Sequence, residues 1–250
     1  MANEVLFEAR HMHKAFGPTI ALKDVDFTLR RGEIRGLIGE NGSGKSTLLR
    51  AISGFMRYSG SLMIGKVECR SLSSKERARQ VALLPQILPQ ANITVRTLTE
   101  HGRYPHHGSI RRMSAHDEEV MENALEITGL KGIEDKLLGE LSGGERQRAF
   151  LAMVIAQDTP MILLDEPTSH MDLVYQREFY ELLEVLRDSG KGIVMVCHSI
   201  DMSLYYSDRI MVMHEGEEIF FSTPFELIEE KIILKKLFDY PDILQISLRN

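Results

Sequence analysis

The chain contains no tryptophan and only two cysteines, Cys69 and Cys197, in 250 residues. Two cysteines this far apart form neither a disulfide framework nor a zinc-binding motif, so we expect reduced thiols and a reducing compartment. The apolar runs at 161–164 and 193–197 are far too short to cross a bilayer. The N-terminus is too polar and acidic for a signal peptide. We therefore expect any membrane association to depend on a partner.

An excess of basic residues is also lacking, because the net charge is −6. Nucleic-acid-binding proteins usually carry a basic excess, so we expect no nucleic-acid partner. The composition is ordinary for a globular protein, with 43% hydrophobic residues. The length allows one large domain or two small ones, each with a proper core.

A glycine loop follows an apolar strand at residues 34–38 and opens a helix near Lys45. Its three glycines are Gly39, Gly42 and Gly44. Without a Cβ they adopt positive φ at little steric cost, which brings backbone N–H groups close to an anion. Lys45 adds a positive charge, and Ser46 adds a hydroxyl ligand for Mg²⁺. The pattern predicts a phosphate-binding loop, in preference to a simple glycine turn before an amphipathic helix.

Two carboxylates, Asp165 and Glu166, follow the apolar run at 161–164. Such a pair is costly beside a core unless it is hydrogen-bonded or bound to a cation. Successive strand side chains point in opposite directions, so the two acids are available for separate roles. The following residue, Pro167, predicts an extended conformation for Glu166.

Polar side chains also follow two other predicted strands. Gln86 comes after the buried run at 81–84, and His198 after the run at 193–197. Taken alone, Gln86 reads as a solvated loop amide and His198 as a structural histidine. Open α/β sheets bind ligands at the carboxyl ends of their strands, which favours phosphate contact for His198. Phe16 lies in a predicted turn, where an aromatic ring either packs in the core or covers a purine.

A capping box, Ser142 with Glu145, begins a buried helix that continues to residue 156. The glycines Gly143 and Gly144 weaken this helix start but leave its N–H groups open to an anion. Residues 91–140 before it lack long strand patterns and predict a helical insertion, with one helix over 117–128. Four histidines fall in this insertion: His101, His106, His107 and His116. We interpret them as loop histidines, because no carboxylate or cysteine completes a metal-ligand spacing.

Together these motifs resemble the ATP-binding subunits of ABC transporters, from Val5 to about Glu229. The matches are 39–47 to the Walker A loop, Gln86 to the Q-loop, 141–145 to the signature motif, 163–166 to Walker B, 169–172 to the D-loop, His198 to the switch histidine and Phe16 to the adenine-stacking aromatic. Two positions depart from the usual pattern, Glu145 where glutamine is commoner and Met171 where leucine is commoner.

The resemblance implies an α/β P-loop NTPase fold with a RecA-like core, an N-terminal antiparallel β-layer and a helical insertion subdomain. It implies one ABC ATPase domain over 1–250. Within it, 1–90 and 158–222 would form the nucleotide-binding core with the β-layer, 91–157 the helical signature subdomain and 223–250 a C-terminal helical tail.

The resemblance also implies the site and its cofactors, ATP and Mg²⁺. Nucleotide contacts would come from Phe16, Gly39, Asn41, Gly42, Ser43, Gly44, Lys45, Ser46, Thr47, Ser142, Gly143, Gly144 and Asp172. Catalytic roles would fall to Glu166, His198, Gln86 and Lys45, and Mg²⁺ contacts to Ser46, Gln86 and Asp165. The 142–144 segment would act from the second copy of an ATP-dependent homodimer.

Within the family, segments 93–95, 102–106, 144–148 and 156–158 resemble importers of ferric siderophores, haem and cobalamin. This implies a membrane permease as partner, an extracytoplasmic substrate-binding protein as an indirect one, and a location at the cytoplasmic face of the membrane. An alternative is a soluble ABC ATPase that acts as an assembly or repair scaffold. A P-loop small-molecule kinase is disfavoured, because 142–144 would have no purpose there.

Overall fold

The computed structural model describes residues 4–107, 113–168, 171, 173–197 and 199–238. Its strands are β1 (Val5–Phe16), β2 (Thr19–Arg30), β3 (Ile34–Gly39), β4 (Ser59–Ile64), β5 (Val67–Glu68), β6 (Val81–Leu84), β7 (Met161–Asp165), β8 (Gly192–Val196), β9 (Arg209–His214) and β10 (Glu217–Ser222). Its helices are α1 (Lys45–Ile52), α2 (Ser74–Ala78), α3 (Val95–His101), α4 (Tyr104–His107), α5 (Ala115–Ile127), α6 (Gly143–Ala156), α7 (Leu173–Asp188), α8 (Ile200–Tyr206), α9 (Pro224–Glu229) and α10 (Lys231–Phe238).

The first four-stranded sheet has the order β2-β1-β4-β5, and its neighbours pair antiparallel. This confirms the predicted N-terminal antiparallel layer. The first strand is longer than the apolar run at 5–7 predicts, since it continues to Phe16. Its alternation is interrupted between Ala9 and Met12, where the register shifts and His11 has a φ of 53°. A bulge of this kind breaks the alternation of inward and outward residues, so the sequence pattern does not show that the strand continues.

The second sheet has the order β10-β9-β3-β8-β7-β6, parallel from β9 to β6, with β10 antiparallel at one edge. Every residue of β7 and β8 is buried, as expected for strands covered on both faces. The glycine loop follows the central strand β3. Parallel alignment brings the carboxyl ends of β6, β7 and β8 to the same edge as that loop.

Several predicted boundaries differ from the structure. The sequence predicts a strand over 65–69, but Cys69 lies in a 3₁₀ turn over Cys69–Ser71, so β5 spans only Val67–Glu68. Helix α5 starts two residues before the predicted 117, because Ser114 caps its N-terminus through Asp117. The sequence predicts that Gly190 and Gly192 end the preceding helix, but Gly192 is the first residue of β8. Helix α8 was not predicted at all.

The region between β6 and β7 is helical, as predicted, and its core contains Leu98, Met121, Leu125 and Phe150. A buried ion pair joins its helices. Arg103 donates to the Asp117 carboxylate at 2.9 Å and to the Ala156 carbonyl at 2.8 Å. These bonds connect the start of α4, the first turn of α5 and the end of α6.

A second buried arginine, Arg35, joins the two sheets. Its guanidinium lies between the rings of Phe27 on β2 and Phe221 on β10, 4.8 Å and 4.3 Å from their centroids. Glu33 accepts from it at 2.7 Å. Burial lowers the pKa of Arg35, and the Glu33 carboxylate opposes this. The guanidinium stays charged, since its usual pKa exceeds 12.

The Thr-Pro-Phe-Glu sequence at 223–226 predicts a capping box with proline at the first helical position, and in the structure Thr223 caps α9 through Glu226. Leu227 of α9 and Leu234 of α10 pack against buried residues of β9. Across the described ranges, no helix combines the length and apolar character that a bilayer span requires.

Candidate nucleotide-binding site

The glycines of the loop are required for different reasons. Gly39 has a φ of 152° and Gly44 a φ of 105°. A Cβ at Gly39 would overlap the Met213 carbonyl oxygen, and one at Gly44 would overlap that of Ala21. A Cβ at Gly42 would meet open space, but its φ of 83° still favours glycine. Two glycines therefore allow close packing, and the third allows a left-handed turn at an exposed position.

The turn of the β9–β10 hairpin supports the loop. Gly216 donates its N–H to the Ser43 carbonyl at 3.0 Å, and Lys23 donates its N–H to the Gly216 carbonyl at 2.7 Å. The Ser43 side chain is buried, whereas Asn41 is exposed and Thr47 is half-buried. Sequence reasoning missed the contributions of Ala21, Met213 and Gly216. No local signal marks them, because they act through backbone atoms from distant strands.

The side chain of Lys45 is folded back along the loop. Its Nζ donates to the carbonyls of Gly39 and Glu40, both at 2.8 Å, and the residue is 6% exposed. Burial lowers the pKa of Lys45, while the nearby carboxylates of Glu166 and Asp165 oppose this shift. The loop thus concentrates one cation and several backbone donors at a single point, which suits a phosphate.

Ser46 and Asp165 meet across the edge of the sheet. Ser46 Oγ donates to Asp165 Oδ1 at 3.0 Å. Burial raises the pKa of Asp165, the Ser46 hydroxyl opposes that, and the Glu166 charge adds to it. A hydroxyl beside a carboxylate is a donor set that fits Mg²⁺, which prefers few protein oxygens together with phosphate oxygens. Among the described residues, no three or more histidine, cysteine or acidic side chains cluster in a way suited to a metal.

Glu166 departs from the predicted extended conformation, since its φ is 52°. Its N–H donates to the Val196 carbonyl of the neighbouring strand at 3.2 Å, and its carboxylate accepts from Gln86 Nε2. Tertiary hydrogen bonds therefore override the preference that Pro167 imposes. Gln86 is exposed, as expected of a loop amide, but its side chain also contacts the second acid of the pair.

Two predicted nucleotide contacts lie at exposed positions. The Phe16 ring is 49% exposed, with Lys14 Nζ 4.9 Å from its centroid. Ser142 caps α6 as predicted, accepting from the Glu145 N–H at 3.2 Å, and both Ser142 and Gly143 are exposed. Gly144 is half-buried. Within the described chain, no hydrogen bond joins 142–144 to the glycine loop.

The remaining predicted residues, Asp172 and His198, lie outside the described residues, as do Ser169 and His170 of the predicted D-loop. The described residues next to them are buried, namely Met171 and Cys197. Gln176 donates to the Met171 carbonyl at 2.9 Å. Burial raises the pKa of Cys197, next to His198, to about 11.

A parallel sheet with a glycine loop after its central strand, a buried lysine and a serine–aspartate pair defines a P-loop site for nucleotide phosphates. The family model described as ABC transporter matches residues 22–169, more than half of the chain. The petrobactin import ATP-binding protein FpuC of Bacillus anthracis is 41% identical over 222 residues, covering 88% of this chain and 80% of that protein. The ferric enterobactin transport ATP-binding protein FepC of Escherichia coli is 35% identical over 221 residues, covering 87% and 82%.

Solved structures of ATP-binding cassettes share this fold. The dimeric cassette MJ0796, in a post-hydrolysis state with ADP and Pi, superposes with a TM-score of 0.78 at 25% identity, over 87% of this chain and 98% of that one. The ADP conformation of the cassette MJ1267 has a TM-score of 0.83 at 23% identity and shares the fold, over 94% and 97%. The chain belongs to the ABC transporter family. It is an ATP-binding subunit that hydrolyses ATP, and the predicted fold class is confirmed.

Proposed function

We propose that this subunit powers the import of an iron–siderophore complex, or of a related haem or cobalamin cargo, through a separate membrane permease. The support is the set of relatives named for petrobactin, ferric hydroxamate and ferric enterobactin, which are similar along most of this chain. The motif segments 102–106 and 144–148 agree with this subfamily. An extracytoplasmic substrate-binding protein would deliver the cargo, and the subunit would sit at the cytoplasmic face of the membrane.

The proposed chemistry depends most on one observation, the meeting of Ser46 with Asp165 and of Gln86 with Glu166 at the edge that carries the glycine loop. Lys45 and the loop N–H groups would hold the β- and γ-phosphates. Ser46, Asp165 and Gln86 would hold Mg²⁺, which when bound neutralises phosphate charge during transfer.

Glu166 would orient and polarise the attacking water, and the left-handed backbone that aims its carboxylate is held by Val196. His198 would contact the γ-phosphate. Phe16 would cover the adenine, a role that its exposed ring suits. Asn41, Gly42, Ser43 and Thr47 would complete the nucleotide contacts of this copy.

A second copy would cover the exposed side of the nucleotide. Ser142 and Gly143 are exposed at the N-terminus of a 14-residue helix, which suits them to a phosphate of the opposite subunit. The dimeric cassettes among the solved structures support this arrangement. Gly144 and Asp172 would act across the same boundary, in an ATP-dependent homodimer with two nucleotides between its subunits.

We further propose that 91–157 is the signature subdomain and meets the permease. In this division 1–90 and 158–222 form the nucleotide-binding core, and 223–250 is a C-terminal tail within one domain of 1–250. Gln86 stands directly before the insertion, so its contact with Glu166 offers a route by which hydrolysis would move that subdomain.

The Glu166→Gln variant tests the catalytic assignment. Hydrolysis should fall by about 10²–10⁴-fold while ATP affinity persists and an ATP-bound dimer accumulates, measured by phosphate release and size-exclusion chromatography. Glu119→Gln, an exposed glutamate on α5, is the matched control. Persistent turnover in Glu166→Gln would reject the role of Glu166. Purification from membranes tests transport: a stable complex with a polytopic permease supports it, and a soluble complex would instead favour the scaffold function.

A further inference from the structure

One buried hydroxyl has no part in the proposed nucleotide chemistry. It belongs to Tyr180, which lies on the inward face of α7 and is 1% exposed. The Tyr180 ring stacks on that of Tyr206 in α8, with centroids 4.7 Å apart and an interplanar angle of 12°. Phe179 meets the same ring edge-on, at a centroid distance of 6.1 Å. These aromatic contacts fix the plane of the ring and therefore the position of its hydroxyl.

The hydroxyl lies between the segments that follow two neighbouring strands. Its oxygen is 3.4 Å from Thr168 Oγ1, beyond β7, and 3.5 Å from Cys197 Sγ, beyond β8. Burial raises the pKa of Tyr180, so the hydroxyl keeps its proton. A protonated phenol donates one hydrogen bond and accepts another, which allows it to serve both partners at once. Tyr180 thus bridges two strand ends through a single oxygen atom.

Both partners stand next to residues of the proposed mechanism. Thr168 is two positions after Glu166 and directly precedes the D-loop segment 169–172. Cys197 directly precedes His198. The bridge therefore joins the segment of the polarising carboxylate to the segment that leads into the proposed γ-phosphate contact.

The bridge lies beyond the backbone pairing of the two strands. The parallel pairing of β7 with β8 ends at Asp165 and Val196. The Glu166 N–H adds one hydrogen bond to the Val196 carbonyl at 3.2 Å. Past this point, the described residues of the two segments are joined by the Tyr180 side chain instead of by the ladder.

A second side chain on the same face of α7 supports one of these segments. Gln176 lies four residues before Tyr180, which places the two side chains on the same side of the helix. Gln176 Nε2 donates to the Met171 carbonyl at 2.9 Å and lies 3.4 Å from the Thr168 carbonyl oxygen. The helix therefore holds the D-loop segment through Gln176, and Tyr180 extends that support to the neighbouring strand end.

We propose that Tyr180 is a positioning residue for ATP hydrolysis, whose hydroxyl sets the spacing between the segment of Glu166 and the segment that leads into His198. The inference rests on the proposed function, which places both residues at the same γ-phosphate. An error in their separation would slow the chemical step, since catalysis depends strongly on the placement of reacting groups. Nucleotide binding depends on the glycine loop and Lys45, after a different strand, and should not respond.

Steady-state hydrolysis by the full chain tests the proposal through Tyr180→Phe. This variant keeps the aromatic ring and removes one oxygen atom. The loss of hydrogen bonds of ordinary strength predicts a fall in kcat of about three- to tenfold, while KM and the affinity for a fluorescent ATP analogue change by less than about twofold. Tyr58→Phe is the matched control, because it removes a phenol hydroxyl that lies 3.5 Å from Glu68, beside the other sheet.

A double-mutant cycle with Thr168→Val separates positioning from a general loss of packing. The two substitutions remove opposite ends of one contact, so their joint effect on kcat should be smaller than the product of the single effects. Thr168→Val should also lower kcat alone, which keeps the test available if Tyr180→Phe does not fold. Single effects that multiply, an equal loss in Tyr58→Phe, or a KM that rises as much as kcat falls would overturn the proposal.

Glu166→Gln is assayed beside these variants, so that two failures are distinguishable. Loss of turnover in Glu166→Gln together with a kcat of Tyr180→Phe within about twofold of the wild type would overturn this inference alone. Turnover that persists in Glu166→Gln would instead reject the proposed role of Glu166, whatever the result for Tyr180.

Discussion

Removal of the Asp117 carboxylate should strongly destabilise the helical region. Asp117 and Arg103 are almost completely buried, and within the described part of the chain the guanidinium's other acceptor is the Ala156 carbonyl. In Asp117→Ala this cation would be left buried without its counter-charge. Breaking a buried pair by deleting one partner costs about 3–5 kcal/mol. We expect a loss of that size in the free energy of unfolding at pH 7.

The same pair predicts a pH dependence. Burial alone would raise the pKa of Asp117, but hydrogen bonds from Ser114 and the Arg103 guanidinium outweigh it and hold the pKa well below its usual range. A carboxyl with a depressed folded-state pKa stabilises the protein fully above its unfolded pKa of about 3.9. This contribution is lost as the pH falls below that value. The wild-type advantage over Asp117→Ala should therefore shrink by about 1.4 kcal/mol per pH unit below pH 4.

Urea unfolding followed by circular dichroism, at several pH values between 3 and 7, measures both effects. Glu118→Ala is a matched control, because Glu118 is the next residue of the same helix turn but pairs with Arg96 at the surface. Exposed pairs contribute about 0–1 kcal/mol, so this variant should lose little. A loss below about 1 kcal/mol in Asp117→Ala, or an advantage that does not change below pH 4, would refute the reasoning.

Three further predictions concern the site. Lys45→Ala should weaken ATP binding roughly 10–100-fold, since a charge-assisted hydrogen bond contributes about 1.5–3 kcal/mol; unchanged affinity by fluorescent-nucleotide titration would exclude the lysine from the scheme. Gly39→Ala should cost more than about 2 kcal/mol through overlap with the Met213 carbonyl, and Gly42→Ala only about 1 kcal/mol through its positive φ; equal urea midpoints would contradict this difference. Cys197 should resist a thiol reagent at pH 8, because it is buried with a pKa of about 11, and should react once unfolded; rapid labelling of the native protein would show that its surroundings open.

The parts of the fold that sequence could predict are those with local causes. The glycine loop, the hairpin at 209–222 and the caps at Ser142 and Thr223 each depend on residues within a few positions of one another, and the structure contains them. Helix α8 has weaker local signals. Its cap Ser199 is followed three residues later by Met202 in place of an acid, so no capping box marks its start.

The parts that sequence could not predict depend on distant partners. The left-handed backbone of Glu166 requires the Val196 carbonyl, and the role of Gln86 requires Glu166, 80 residues away. The length of β1 depends on pairing with both β2 and β4 across a bulge. Such contacts are decided by the assembled sheet, and neither propensity nor periodicity encodes them.

The support of the glycine loop by the last hairpin bears on biosynthesis. Met213 follows Gly39 by 174 residues in the chain, so at roughly 5–20 residues per second a ribosome adds it about 9–35 s later. Until then the nascent loop lacks the carbonyl against which Gly39 packs and the Gly216 N–H that holds Ser43. The nascent chain therefore completes its supported ATP-binding loop near the end of translation, when most of the molecule has already been made.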